Sequence, residues 1–163
     1  MKKNNRLPGA KQGAIFNERE DKMPKIGKQK VKVNREKLLT ECAAIMKVLQ
    51  KRTLLEVEYV GEEGTGLGPT LEFYTILSQQ LKNDTSLWRR KVPDGTLYPI
   101  SMSPKMEPKV IIEKFHLMGL FIAKSICDNR IIDLPINGVM WDLLLDRKKN
   151  LFDLKMLDEG LFN

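Results

Sequence analysis

The sequence predicts an α+β domain, mostly helical, with a few short strands. Three observations carry this. Apolar residues recur at helical spacing in four segments, one segment alternates with the two-residue period of a strand, and a glycine-rich break separates that strand from the next helix. At 163 residues with 42% hydrophobic composition, the chain can bury one core, and a single domain with a tail is expected.

Residues 1–29 show no periodicity, carry few large apolar residues and are punctuated by Pro8, Gly9, Gly13, Pro24 and Gly27. They read as a basic, disordered lead-in to a domain spanning 30–163. The net charge of +7 belongs to this end. Residues 1–37 hold 12 basic and 4 acidic residues, and the remainder holds 16 and 17. The basic residues are scattered rather than clustered, so a solvated tail is favoured over a nucleic-acid patch.

Lys30 to Val33 fits a short strand, and Asn34 fits the N-cap of a helix running to about Gln50. Leu38, Leu39, Cys42, Ile45, Met46 and Leu49 share one face of it. Leu55, Val57 and Tyr59 alternate with Glu56 and Glu58, as a half-buried strand requires. Gly61, Gly64, Gly66, Gly68 and Pro69 then end any regular structure. Thr70 is placed to cap a helix from about Leu71 to Lys82.

Asn83 to Pro108 reads as irregular, because four prolines, Pro93, Pro99, Pro104 and Pro108, and Gly95 interrupt any period. Val110 to about Cys127 is the strongest helix, apolar around most of its circumference, and is expected to be central and buried. Asp128-Asn129-Arg130 stops it, with Asn129 able to turn left-handed. Asn137 fits the cap of a last helix to about Arg147, its inward residues Val139, Met140, Leu143 and Leu144, and Leu151 to Asn163 offers no evident closing element.

The chemistry open to these residues is narrow. Gly61 and Gly66 have the spacing of a phosphate-binding loop, but Leu67 stands where its lysine must be, and Glu62 and Glu63 repel phosphate. Gly64, Gly66 and Gly68 miss the dinucleotide spacing. The glycine segment with Pro69 therefore reads as a structural turn. His116 is the single histidine, which excludes sites needing two, and it reads as a partly buried core residue. No cofactor and no metal is expected. Cys42 and Cys127 fall within apolar segments and read as structural thiols rather than nucleophiles or a disulfide. The longest apolar stretch falls short of the ~20 residues that cross a bilayer, and no secretory signal is evident, so an intracellular protein of the cytoplasm or nucleus is expected.

The run LLEVEYVGEEGTGLGPTLEFY, Leu54 to Tyr74, resembles the start of the HECT ubiquitin-ligase N-lobe, in the branch that includes ligases of the thyroid-receptor-interactor type. FHLMGLFIAKSICDNRIIDLP, Phe115 to Pro135, is similar to that lobe's central helix and the turn after it, and KQKVKVNREKLL is similar to the branch's entry. The resemblance spans about Lys28 to Leu145 and implies a partial N-lobe. It implies transfer of ubiquitin from a conjugating enzyme to a C-lobe cysteine as a thioester, then to a substrate lysine. That cysteine follows a threonine in the family, whereas Glu41 precedes Cys42 and Ile126 precedes Cys127. Neither is expected to be catalytic, and the chain alone is expected to form no thioester. It reads as a ligase fragment, or alternatively as a non-catalytic module that binds ubiquitin or a full-length relative. The resemblance also points to Tyr98 and Ile136 as ubiquitin contacts, although both read more simply as core anchors. Helices that would pack on later lobe segments are expected to leave an apolar patch exposed.

Overall fold

A computed structural model describes residues 26–49, 53–89, 95–102 and 106–163 of the chain. Strand β1, Gly27–Val33, runs parallel to β2, Thr53–Tyr59, with Gly27 opposite Thr53 and Val33 opposite Tyr59. Parallel neighbours need a crossover. A single 3-10 turn, Arg35–Lys37, and helix α1, Leu38–Val48, lie within it.

β1 begins three residues ahead of the expected strand, inside the segment assigned to the lead-in. Lys28 and Lys30 are polar on the sequence yet pair across the strands with Glu56 at 3.5 and 3.2 Å, and Lys30 also reaches Glu58 at 3.2 Å. Cross-strand ion pairs stand where apolar alternation would have marked the strand. The remainder of the lead-in, residues 1–25, lies outside the described residues.

Asn34 caps the turn as expected, its side chain accepting from the Glu36 N–H at 2.9 Å, while its own N–H donates to Glu41 Oε2 at 2.7 Å. Leu38, Cys42, Ile45 and Met46 form the buried face of α1.

Helix α2, Leu67–Lys82, starts four residues earlier than expected, so Thr70 sits inside it rather than at its cap. Pro69 is compatible with a first turn because the N–H it lacks has no partner there. Phe73, Tyr74, Leu77 and Leu81 are fully buried along its inner face.

Helix α3, Pro108–Cys127, buries Ile111, Leu117, Met118, Phe121 and Ser125 along one face. It is not buried all round. Ile112 is 65% and Ile126 73% exposed, and His116, expected to be partly buried, is exposed. The helix packs on one side only among the described residues, and its apolar circumference exceeds what that side covers. Asn129, at φ 53°, supplies the left-handed stop. No described helix is long and apolar enough to cross a membrane.

Tyr74 joins α2 to α3, stacked on Phe121 at 5.5 Å and edge-on to Phe73 at 5.6 Å. The described parts of the proline-rich segment are anchored by Trp88, which donates to the Leu81 carbonyl at 2.8 Å and meets Phe115 edge-on. Two isolated bridges, Trp88 to Pro99 and Leu97 to Ile136, fix it further.

The last expected helix is shorter, α4, Gly138–Leu144, capped by Asn137 as expected. Of its expected inward residues Val139 is buried and Met140 half-buried, whereas Leu143 and Leu144 are exposed. Two helices follow where no closing element was expected, α5, Leu151–Leu157, and α6, Glu159–Phe162. Asn150 and Asp153 form a reciprocal capping box at the start of α5. The box is legible as Asn-x-x-Asp, but the helix behind it buries only Leu157 and shows no core stripe. Leu144, Leu145, Leu151 and Phe152 are large apolar residues left 59–72% exposed.

Candidate functional site

The polar groups of the fold converge where β2, α2 and the end of α3 meet. Asp128 is 4% exposed and accepts from the Leu55 N–H at 3.1 Å, from the Tyr74 hydroxyl at 2.8 Å and from Lys124 Nζ at 2.7 Å. Lys124 also donates to the Thr53 carbonyl. A buried carboxylate needs such partners to stay charged. Burial, and then the hydrogen bond to Asp128, push the Tyr74 phenol well above its ordinary value of 10.0. A second side chain reaches the same edge of β2. Thr70 Oγ1 accepts from the Val57 N–H at 2.9 Å and donates to the Gly66 carbonyl at 2.8 Å. Side chains thus occupy backbone donors that a third strand would otherwise take.

The glycine turn lies above this edge. Gly61 and Gly66 have φ of 81° and 84°, where a side chain is strained, and a Cβ on Gly64 would meet Pro69 Cγ at 3.2 Å. Gly68 is in the helix and meets nothing within 4 Å. Arg35 ties the turn down. Its guanidinium donates to both Glu62 oxygens at 2.8 Å and to Glu72 at 2.6 and 3.0 Å, and lies 4.0 Å from the centre of the Tyr59 ring. Burial first, and Glu72 next, push the Tyr59 phenol up to about 12.

The other candidates lie apart from this junction. Cys42 is fully buried, and burial pushes its thiol up to about 12, which disfavours the thiolate. Cys127 is exposed, so the expectation of a thiol packed as a small hydrophobe is corrected: the last residue of α3 lies on its solvent side. Ile136 is 8% exposed and presents little surface, while Tyr98 beside it is half-buried. Among the described residues no three His, Cys, Asp or Glu side chains are grouped to hold a metal.

Asp128, Lys124, Arg35 and Tyr74 have roles that the sequence reading did not assign. The spacing of Lys124 and Asp128, four apart on an apolar helix, was the available signal. The junction has no exposed nucleophile and holds backbone in place; its chemistry is that of a scaffold.

The sequence profile described as HECT-domain (ubiquitin-transferase) matches residues 74–163, from the middle of α2 to the last residue. The chain belongs to the HECT family. E3 ubiquitin-protein ligase UPL3 of Arabidopsis thaliana is 33% identical over 188 aligned positions, covering 94% of this chain and 10% of that protein. E3 ubiquitin-protein ligase TRIP12 of Danio rerio is 32% identical over 85% of this chain and 8% of its own length. Ubiquitin fusion degradation protein 4 of Saccharomyces cerevisiae is 33% identical over 74% and 9%. The chain thus spans about a tenth of the length of the curated relatives it matches. It is a partial HECT region, and the alignment to UPL3 is long enough to take in β2, the glycine turn and the Asp128 junction together with the matched profile.

Proposed function

We propose that this chain is part of a HECT-type ubiquitin-protein ligase and supplies the scaffold of its N-lobe. Ubiquitin and a ubiquitin-conjugating enzyme are then the partners of the complete domain, and the thioester forms on a cysteine outside these 163 residues. The profile match over residues 74–163 carries this reading. Two features support the division of labour. Cys42 is sealed in the core with a raised pKa, and neither cysteine follows a threonine. An acyl acceptor must instead be accessible and ionised.

The test is a charging assay with activating enzyme, conjugating enzyme and ubiquitin, run on the 163-residue chain and on the longest product of its gene. The expected result is a thiol-reducible ubiquitin adduct on the longer product alone. An adduct on the 163-residue chain, removed by Cys127→Ser, would overturn the reading.

Non-covalent ubiquitin binding is the second activity this region could retain, and half-buried Tyr98 is the residue to carry it. Titrating labelled ubiquitin with the chain should give saturable shifts that Tyr98→Ala weakens. Shifts that are absent, or equal in the variant, would remove this second reading and leave the first untouched.

A further inference from the structure

The sheet has two edges, and the fold closes one of them. Along β2, Asp128 and Thr70 take the outward N–H groups of Leu55 and Val57, so no further strand can pair there. β1 has no such cover, and β2 is its sole sheet neighbour among the described residues. Successive residues of a parallel strand bond alternately to one side and to the other. The Val60 N–H donates to the Val33 carbonyl at 2.9 Å, which sets the phase. Gln29, Val31 and Val33 therefore bond to β2, and Lys28, Lys30 and Lys32 turn their backbone N–H and C=O groups to the open edge.

The side chains of these three lysines stand on one face of the sheet, opposite the face that buries Val33. Lys28 and Lys30 pair with Glu56 and Glu58 but remain 66% and 60% exposed, and Lys32 has no ionic partner among the described residues. The row therefore keeps a positive surplus toward its open side. A second copy of β1, laid alongside with its apolar face on the same side, would set lysine beside lysine and be repelled. An acidic strand meets attraction at the same positions. Its intervening side chains would lie on the inner face beside Val31, which is half-buried.

We propose that the open edge of β1 docks an extended acidic segment of another protein, which adds as a third strand with carboxylates at alternate positions beside Lys28, Lys30 and Lys32 and apolar side chains between them. Main-chain hydrogen bonds to the edge supply affinity, and the lysine row selects the sequence. The site is separate from ubiquitin transfer and does not depend on it.

The test is nitrogen-proton NMR of the 163-residue chain, titrated with a short capped peptide that alternates glutamate with valine and, separately, with the same peptide carrying lysine in place of glutamate. The expected result is a saturable shift of the Lys28, Lys30 and Lys32 amides with the glutamate peptide, slower hydrogen exchange at those amides, and an affinity that falls as salt rises. Lys32→Glu should weaken the glutamate peptide about fivefold and tighten the lysine peptide. Lys32→Gln should act in the same direction by a smaller factor and serves if the glutamate variant does not fold. Absence of saturation overturns the proposal, as does a lysine peptide that binds the native chain as tightly as the glutamate one, or an affinity unchanged by both variants. It is equally overturned if the three lysine amides exchange slowly before any peptide is added and lose that protection when residues 1–25 are removed or when the chain is diluted. The edge then belongs to the chain's own leading residues or to a second copy.

Discussion

The Tyr74 hydroxyl donates a 2.8 Å hydrogen bond to Asp128 Oδ2, across 54 positions of sequence, and the same oxygen accepts the Leu55 N–H. One carboxylate oxygen therefore fixes α2 and β2 to the end of α3. Removing the carboxylate strands the Leu55 and Tyr74 donors and takes the counter-charge from Lys124, whose side chain is only 10% exposed and keeps the Thr53 carbonyl alone. Asp128→Ala should cost about 3–5 kcal/mol, the range for leaving a buried charge unpaired. Tyr74→Phe should cost about 1 kcal/mol, because its ring contacts with Phe121 and Phe73 remain. Urea unfolding followed by circular dichroism measures both. The two changes should not add, since without Asp128 the phenol has no bond to lose. A loss below 1 kcal/mol in Asp128→Ala would show that the junction does not hold the elements together.

The glycine turn predicts costs of different size at two nearby glycines. Gly66 stands at φ 84°, ψ −135°, a region essentially reserved for glycine, so Gly66→Ala should destabilise by about 1–3 kcal/mol. Gly68 is helical and an added methyl meets nothing within 4 Å beyond its chain neighbours, but Pro69 follows it and disfavours a helical residue with a Cβ there, so Gly68→Ala should be close to neutral, within about 0.5 kcal/mol. Thermal unfolding of the two variants tests the distinction, and equal shifts would deny it.

How far these features were legible depends on whether the signal was local. The β2 alternation of Leu55, Val57 and Tyr59 was, since a period of two needs no partner to be seen, and all three are buried. The Asn34 and Asn137 caps were legible for the same reason. β1 was read three residues short because its lysines match glutamates 26 to 28 positions away, a pairing the chain does not display until it folds. Thr70 was read as a cap because threonine before an apolar run has that meaning locally, whereas its hydroxyl serves a strand. Arg35 looked like one more cation of a basic end. Its role needs Glu62, Glu72 and Tyr59 to be brought to one point.

The two cysteines should differ in reactivity. Cys42 is fully buried with its thiol pushed up to about 12, and Cys127 is exposed. At neutral pH an aromatic disulfide reagent should therefore titrate one thiol in the folded chain and two in denaturant. Cys127→Ser should abolish the native reaction. Two thiols reacting at equal rates in the folded chain would place Cys42 within reach of solvent.

Arg35 predicts the acid limb of stability. Its hydrogen bonds are the main cause holding the Glu62 and Glu72 carboxyls below their ordinary 4.5, with partial desolvation opposing. Groups with depressed folded values bind fewer protons folded than unfolded. Their contribution is therefore fully present above the ordinary glutamate value and is lost as pH falls through the depressed ones. Arg35→Gln removes the cause and leaves the two carboxylates near each other without a cation between them. The variant should melt below the native chain at pH 7, and the gap should narrow as pH falls below about 4.5 and both glutamates protonate in either protein. Both groups are exposed enough for salt to screen them, so the pH 7 gap should also shrink as ionic strength rises. Melting temperatures across pH 7 to 3, at low and high salt, measure this directly. A gap that stays constant with pH would mean that Arg35 acts through its packing on Tyr59 rather than through the two carboxylates.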